Sequence, residues 1–188
     1  MDKTHLASAS RSDTLLHVVP KNMTSPCNFG QRFIESKGQP ITHGEKTLQM
    51  IDRFPAKLGE ELEVTIESTA SPYNQGVGFS EGVEVFGERQ KKAVVFEHFS
   101  VPPDERDRVR SKLPFTFTVT CRNRKGYVQF YNMALVSGRQ EWWHGGSAMI
   151  VEEIDGGRRY RCNDFELDDD FDDVVFTVKQ QGTTRRHS

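Results

Sequence analysis

Seven carboxylates fall within the ten residues Asp164-Phe-Glu-Leu-Asp-Asp-Asp-Phe-Asp-Asp173, and the run leads directly into the apolar segment Val174-Val-Phe-Thr-Val178. Like charges held this close beside an ordered strand repel one another, and a cation would relieve them. Oxygen donors at this density suit a hard dication. Calcium takes six to eight oxygens at about 2.3–2.6 Å and accepts bidentate carboxylates, whereas magnesium prefers fewer protein ligands with retained waters. The rival reading is a solvated acidic turn, the usual fate of a block of like charge. Phe165, Leu167 and Phe171 interrupt the acids, and leaving such side chains in water costs free energy, so the loop is expected to pack on a core.

Strand-like alternation across the loop would gather Asp168, Asp170 and Asp172 on one side, with Phe171 and Asp169 on the other. Asp164, Asp168, Asp170, Asp172 and Asp173 are the candidate calcium ligands, and their number allows one ion or two. The spacing Asp168-x-Asp170-x-Asp172 imitates the start of an EF-hand. Asp173 then stands where that motif needs glycine and Lys179 where it needs the closing glutamate, so an EF-hand is excluded. Val174, Phe176 and Val178 alternate with Val175, Thr177 and Lys179, a strand period where an EF-hand would have a helix.

The loop resembles the calcium loop of the small calcium-dependent fucose- and mannose-binding lectins of bacteria, over about fifteen residues. In that family a run of the type Glu-x-x-x-Asp-x-Asp-Tyr-Asn-Asp precedes a valine-rich last strand. Its ligands fall here on Asp164, Asp168, Asp170, Asp172 and Asp173, with Phe171 at the aromatic place. The resemblance implies a β-sandwich in which calcium binds sugar hydroxyls directly, a homodimer, and a sugar loop that places Thr69 and Ser71 near the ions. Two positions depart from the family. Its acidic sugar contact falls on Phe165, and its C-terminal carboxylate is replaced by a continuation from Gln180 to Ser188.

A second group with chemical potential is Trp142-Trp143-His144-Gly-Gly146. Adjacent strand residues face opposite sides, so one tryptophan would enter the core and the other could stack on a sugar ring or an apolar ligand; both being structural is the competing reading. His144 is a candidate ligand or base, or a turn residue. The spare acids Glu97, Glu141 and Glu152 would matter in a calcium-dependent cyclase or isomerase built on the same scaffold, the alternative to a binding protein. No Gly-x-Ser-x-Gly elbow, phosphate loop or dinucleotide fingerprint occurs.

Positioning such loops calls for strands. Leu62–Glu67, Gly82–Phe86, Ala93–Phe99, Phe115–Cys121, Tyr127–Val136, Ser147–Ile154, Arg159–Phe165 and Val174–Val178 read as short strands, with turns at Arg122–Gly126 and Asp155–Gly157. Ser68–Ser80 reads as a loop, Leu15–Val19 as a strand, and Pro103–Lys112 as a short helix. The pattern predicts an all-β fold, an antiparallel β-sandwich of jelly-roll type. A polar, partly ordered N-terminal arm would span 1–41, the sandwich 42–180 and a flexible tail 181–188.

At 188 residues the chain suits one domain. Its net charge of −2 conceals a remainder of +5 outside the acidic loop. The short basic clusters Arg122–Lys125 and Arg158–Arg161 read as solvated turns or partners for acids, so no nucleic-acid partner is expected. Cys27, Cys121 and Cys162 are too scattered for a disulfide framework or zinc knuckle. No signal sequence or membrane-spanning run is read, which gives a cytoplasmic expectation, with a carbohydrate or other small molecule as partner.

Overall fold

Alternation sets the centre of the fold. In a computed structural model of the chain, which describes residues 25–97 and 112–181, Leu62, Val64 and Ile66 have no exposed surface and lie on one face of strand β4 (Glu61–Ser68). The full order is α1 (Phe29–Glu35), β1 (Ile41–His43), β2 (Lys46–Gln49), β3 (Asp52–Pro55), β4, β5 (Asn74–Val85), β6 (Glu88–Phe96), β7 (Phe115–Cys121), β8 (Tyr127–Val136), β9 (Arg139–Glu141), β10 (Ala148–Ile154), β11 (Gly157–Asn163) and β12 (Val174–Gln180). The fold is all-β. No helix among the described residues is long and apolar enough to cross a membrane.

Twelve strands form one continuous antiparallel sheet in the order β1-β2-β10-β11-β12-β4-β7-β5-β8-β3, with β6 beside β5 and β9 beside β8. The sheet curls so that distant strands face each other across the core. Tyr160 of β11 stacks on Phe176 of β12 at 4.4 Å and meets Phe130 of β8 at 6.2 Å. Side chains close the curl where β3 meets β11. Asp52 accepts hydrogen bonds from Arg158 at 2.9 and 3.1 Å and from the Tyr160 hydroxyl at 2.7 Å. Burial, with Asp52 alongside, pushes the Tyr160 phenol far above its ordinary range.

Several local readings change. The 68–80 segment is not all loop: β5 starts at Asn74 and is buried on both faces from Gln75 to Ser80. The glycines that suggest a loop are packing devices, since a Cβ on Gly78 would lie 2.1 Å from the Tyr131 ring. Strands β1 to β3, three or four residues each, are too short to show a period. Helix α1 lies inside the polar N-terminal stretch. Asn28 caps it by accepting from the Gln31 N–H at 3.1 Å, and Phe29 and Phe33, four apart, share its buried face. The strand read at Leu15–Val19 and the helix read at Pro103–Lys112 lie outside the described residues, apart from Lys112.

Two cores result. The main one lies inside the curl and contains Phe79, Phe130, Tyr160 and Phe176, while the second joins Phe29, Phe33, Leu48, Ala148 and Phe171. Cys121 and Cys162 are buried free thiols and Cys27 is half-buried. Burial holds the Cys162 thiol well above its usual pKa.

Candidate cation site

The acidic loop connects the adjacent antiparallel strands β11 and β12, and two buried residues give it shape. Phe171 has no exposed surface and packs 5.9 Å from Phe29, with Lys46 Nζ 4.5 Å above its ring. Asn163, fully buried at the end of β11, binds the loop from within. Its Nδ2 donates to the carbonyls of Asp168 at 3.1 Å, Gly146 at 3.2 Å and Glu166 at 3.4 Å, while its Oδ1 accepts the Phe171 N–H at 3.2 Å. Asn132 Nδ2 in turn donates to the Asn163 carbonyl at 2.7 Å. Sequence reasoning overlooked Asn163; its only signal is an amide standing immediately before the acids.

Asp168, Asp170 and Asp173 converge, with one carboxylate oxygen from each lying within 4.8 Å of the other two. Asp168 and Asp170 are exposed and Asp173 is buried. Burial, reinforced by Asp164, Asp170 and Asp168, raises the Asp173 carboxyl to about 7, against the lowering effect of the Asp164 N–H, which donates to Asp173 Oδ2 at 2.7 Å. Asp168 is also raised, first by burial and then by Asp170 and Asp164, with the Asn163 hydrogen bond opposing. Among the described residues, no lysine, arginine or histidine forms an ion pair with any of the three.

The other candidate ligands occupy different places. Asp164 is only 1 % exposed and accepts from Ser71 Oγ at 2.7 Å, Gln75 Nε2 at 3.1 Å and the Glu166 N–H at 2.9 Å, which makes it the floor of the loop rather than part of the triad. Asp172 is exposed and lies outside the triad, contrary to the alternation that grouped it with Asp168 and Asp170. Residues 164–173 are not a strand, and Phe171 sits in the left-handed region at φ 56°. A left-handed residue breaks the alternation, and Asp173 takes the inward place. Asp169 faces away: its Oδ2 lies 3.1 Å from His43 Nε2, and its carbonyl accepts from Lys46 Nζ at 3.1 Å. Cys27, His43 and Asp169 form a second close group, but the Arg32 guanidinium already lies 3.3 Å from His43 Nδ1 and supplies its positive charge.

Thr69 and Ser71 lie on the loop after β4. Ser71 reaches Asp164, while Thr69 Oγ1 donates to the buried Glu97 at 2.6 Å. Trp142, Trp143 and His144 are in a loop following β9 rather than on a strand, so the opposite-face expectation does not apply, and both tryptophans are half-buried. Trp142 packs 5.1 Å from Tyr131 and Trp143 4.3 Å from His144. The glycines of this segment reach the acidic loop: Gly146 N–H donates to the Phe165 carbonyl at 3.0 Å, and a Cβ on Gly146 would come within 1.7 Å of the Glu166 carbonyl. Tyr73 packs 4.9 Å from Phe165 and donates to Glu166 at 3.1 Å.

The spare acids are dispersed. Glu141 pairs with His144 at 2.9 Å, Glu97 is buried beneath Thr69, and Glu152 faces Arg159 across β10 and β11. No protein-family model matches the chain and no curated protein matches it in sequence.

Proposed function

We propose that this chain is a calcium-binding β-domain in which Asp168, Asp170 and Asp173 hold the ion. The observation that carries the reading is the convergence of three carboxylates, one of them buried, without a cationic side chain paired to them among the described residues. The Asp173 carboxyl is raised by burial and by its acidic neighbours, and a dication would relieve that repulsion and satisfy all three oxygens together. The donors are hard oxygens, which favours calcium over softer metals. Calcium supplies charge neutralisation and a Lewis-acid centre. The chain's own contribution is a loop fixed by Asn163 and Phe171, so that little ordering is left to accompany binding.

Asp168 and Asp170 are exposed, so an ion bound to them would keep part of its coordination sphere open to solvent. Paired hydroxyls of a carbohydrate fit such open positions, and we propose a sugar as the ligand of the bound ion. Thr69 and Ser71 are in the neighbouring loop, and Ser71 is linked to Asp173 through Asp164.

Calcium calorimetry on chelator-treated protein is the test, with wild type compared to Asp170→Asn. Micromolar binding that the substitution abolishes supports the cation site, and equal heats from both proteins would remove it. A glycan array with and without chelator then tests the sugar: retention of the same glycans in chelator would exclude an ion-mediated contact.

A further inference from the structure

A second cleft, sharing no residue with the acidic triad, lies between α1 and the loop after β9. It has a volume of about 340 Å³, within the range of small-molecule sites, and its walls are Phe33, Ile34, Met50, Trp142 and Trp143 together with glycine backbone. Ile34 is 57 % exposed and lines the cleft together with two half-buried tryptophans, so the apolar walls reach the surface. The helix is docked closely enough to make the cleft a fixed shape. Gly30 N–H donates to the Gly145 carbonyl at 2.9 Å, and a Cβ on Gly30 would lie 2.6 Å from the Trp143 carbonyl.

The cleft has one charged residue, Lys37. It occupies an unexpected backbone position. Helix α1 ends in a Schellman turn, with Gly38 N–H donating to the Phe33 carbonyl at 2.7 Å and Lys37 N–H to the Ile34 carbonyl at 3.0 Å. The left-handed residue of such a turn is normally glycine. Here it is Lys37, at φ 57°, and the glycine that follows is left-handed in its turn, Gly38 at φ 75°. A side chain that local folding disfavours, placed at the rim of an apolar cleft, supplies positive charge where nothing else on the walls is charged.

We infer that this cleft binds a small apolar carboxylic acid, whose ring or short chain lies against Trp142, Trp143 and Met50 while its carboxylate pairs with Lys37. A sugar suits these walls less well, since its many hydroxyls would find few hydrogen-bonding partners among carbon surfaces. The inference is independent of the calcium reading.

Trp142 and Trp143 are the two tryptophans of the chain, so intrinsic fluorescence of the full chain reports directly on the cleft. Phenylacetate, cyclohexylacetate and hexanoate would each be titrated against the corresponding primary amide. At least one acid is expected to perturb the emission and to bind about fivefold more tightly than its amide, the range of an ion pair at a partly exposed rim. Lys37→Gln should abolish that preference while leaving amide binding unchanged. Lys37→Gly should do the same with an equal or higher melting temperature, which a purely structural lysine would not give. Asp170→Asn and chelation should leave acid binding unaltered, which separates this site from the cation site. Failure of all three acids to bind at millimolar concentration, or an acid preference that survives Lys37→Gln, would overturn the proposal.

Discussion

Asn163 and Phe171 are joined by a hydrogen bond of 3.2 Å from the Phe171 N–H to Asn163 Oδ1, across the span of the acidic loop. The same amide holds the Asp168 carbonyl at 3.1 Å on its other side. One buried side chain therefore fixes both the first member of the carboxylate triad and the left-handed residue that turns Asp173 inward.

Replacing Asn163 with alanine deprives the buried Gly146 carbonyl and Phe171 N–H of this partner, each costing about 1–3 kcal/mol. A loss of roughly 2–4 kcal/mol is expected in chemical denaturation, together with weaker calcium binding. A variant with wild-type stability and calcium affinity would show that the loop holds its shape without the amide.

Phe171→Ala removes a fully buried ring from the core it shares with Phe29, Phe33, Leu48 and Ala148. The expected destabilisation is about 3–5 kcal/mol. Phe171→Gly relieves the positive φ of 56° but loses the same packing, so it should remain clearly destabilised in urea unfolding. Near wild-type behaviour of the glycine variant would mean that backbone strain, and not packing, dominates at this position.

The raised carboxyl of Asp173 gives a pH dependence with a definite sign. In the unfolded chain it titrates near 3.8 and in the native state near 7. Between these values the native state binds more protons than the unfolded one, so the stability of chelator-treated protein falls as pH rises through that window. Asp173→Asn should flatten this trend, and saturating calcium should remove it for the wild type. Thermal melts across the window, with and without chelator, would measure the effect; an apo protein that gained stability over the same interval because of Asp173 would contradict the site's electrostatics.

Asp168 and Asp169 are neighbours with opposite directions. Asp168→Asn should weaken calcium binding by at least about tenfold, a loss of about 1.4 kcal/mol, whereas Asp169→Asn should leave it near the wild-type value because that carboxylate faces His43. Equal losses in calorimetry would mean that the loop rearranges when it binds the ion.

Within the described residues, the strands with a sustained period of two are legible from local pattern alone. Leu62, Val64 and Ile66, and Phe117, Val119 and Cys121, are inward rows because a pleated strand sends alternate side chains to the same face. Local composition also implies that the acidic loop packs on a core, since Phe171 could not remain in water at low cost. Which acids meet is a property of the folded chain. That choice depends on the left-handed backbone at Phe171, on hydrogen bonds from Asn163, and on Ser71 and Gln75 reaching Asp164 from about ninety positions away. The distant partners leave no mark in local spacing. The apolar cleft is of the same kind: helix α1 is too short for its period to stand out among polar neighbours, and it acquires a role only where Gly30 docks on the backbone of Trp143 and Gly145.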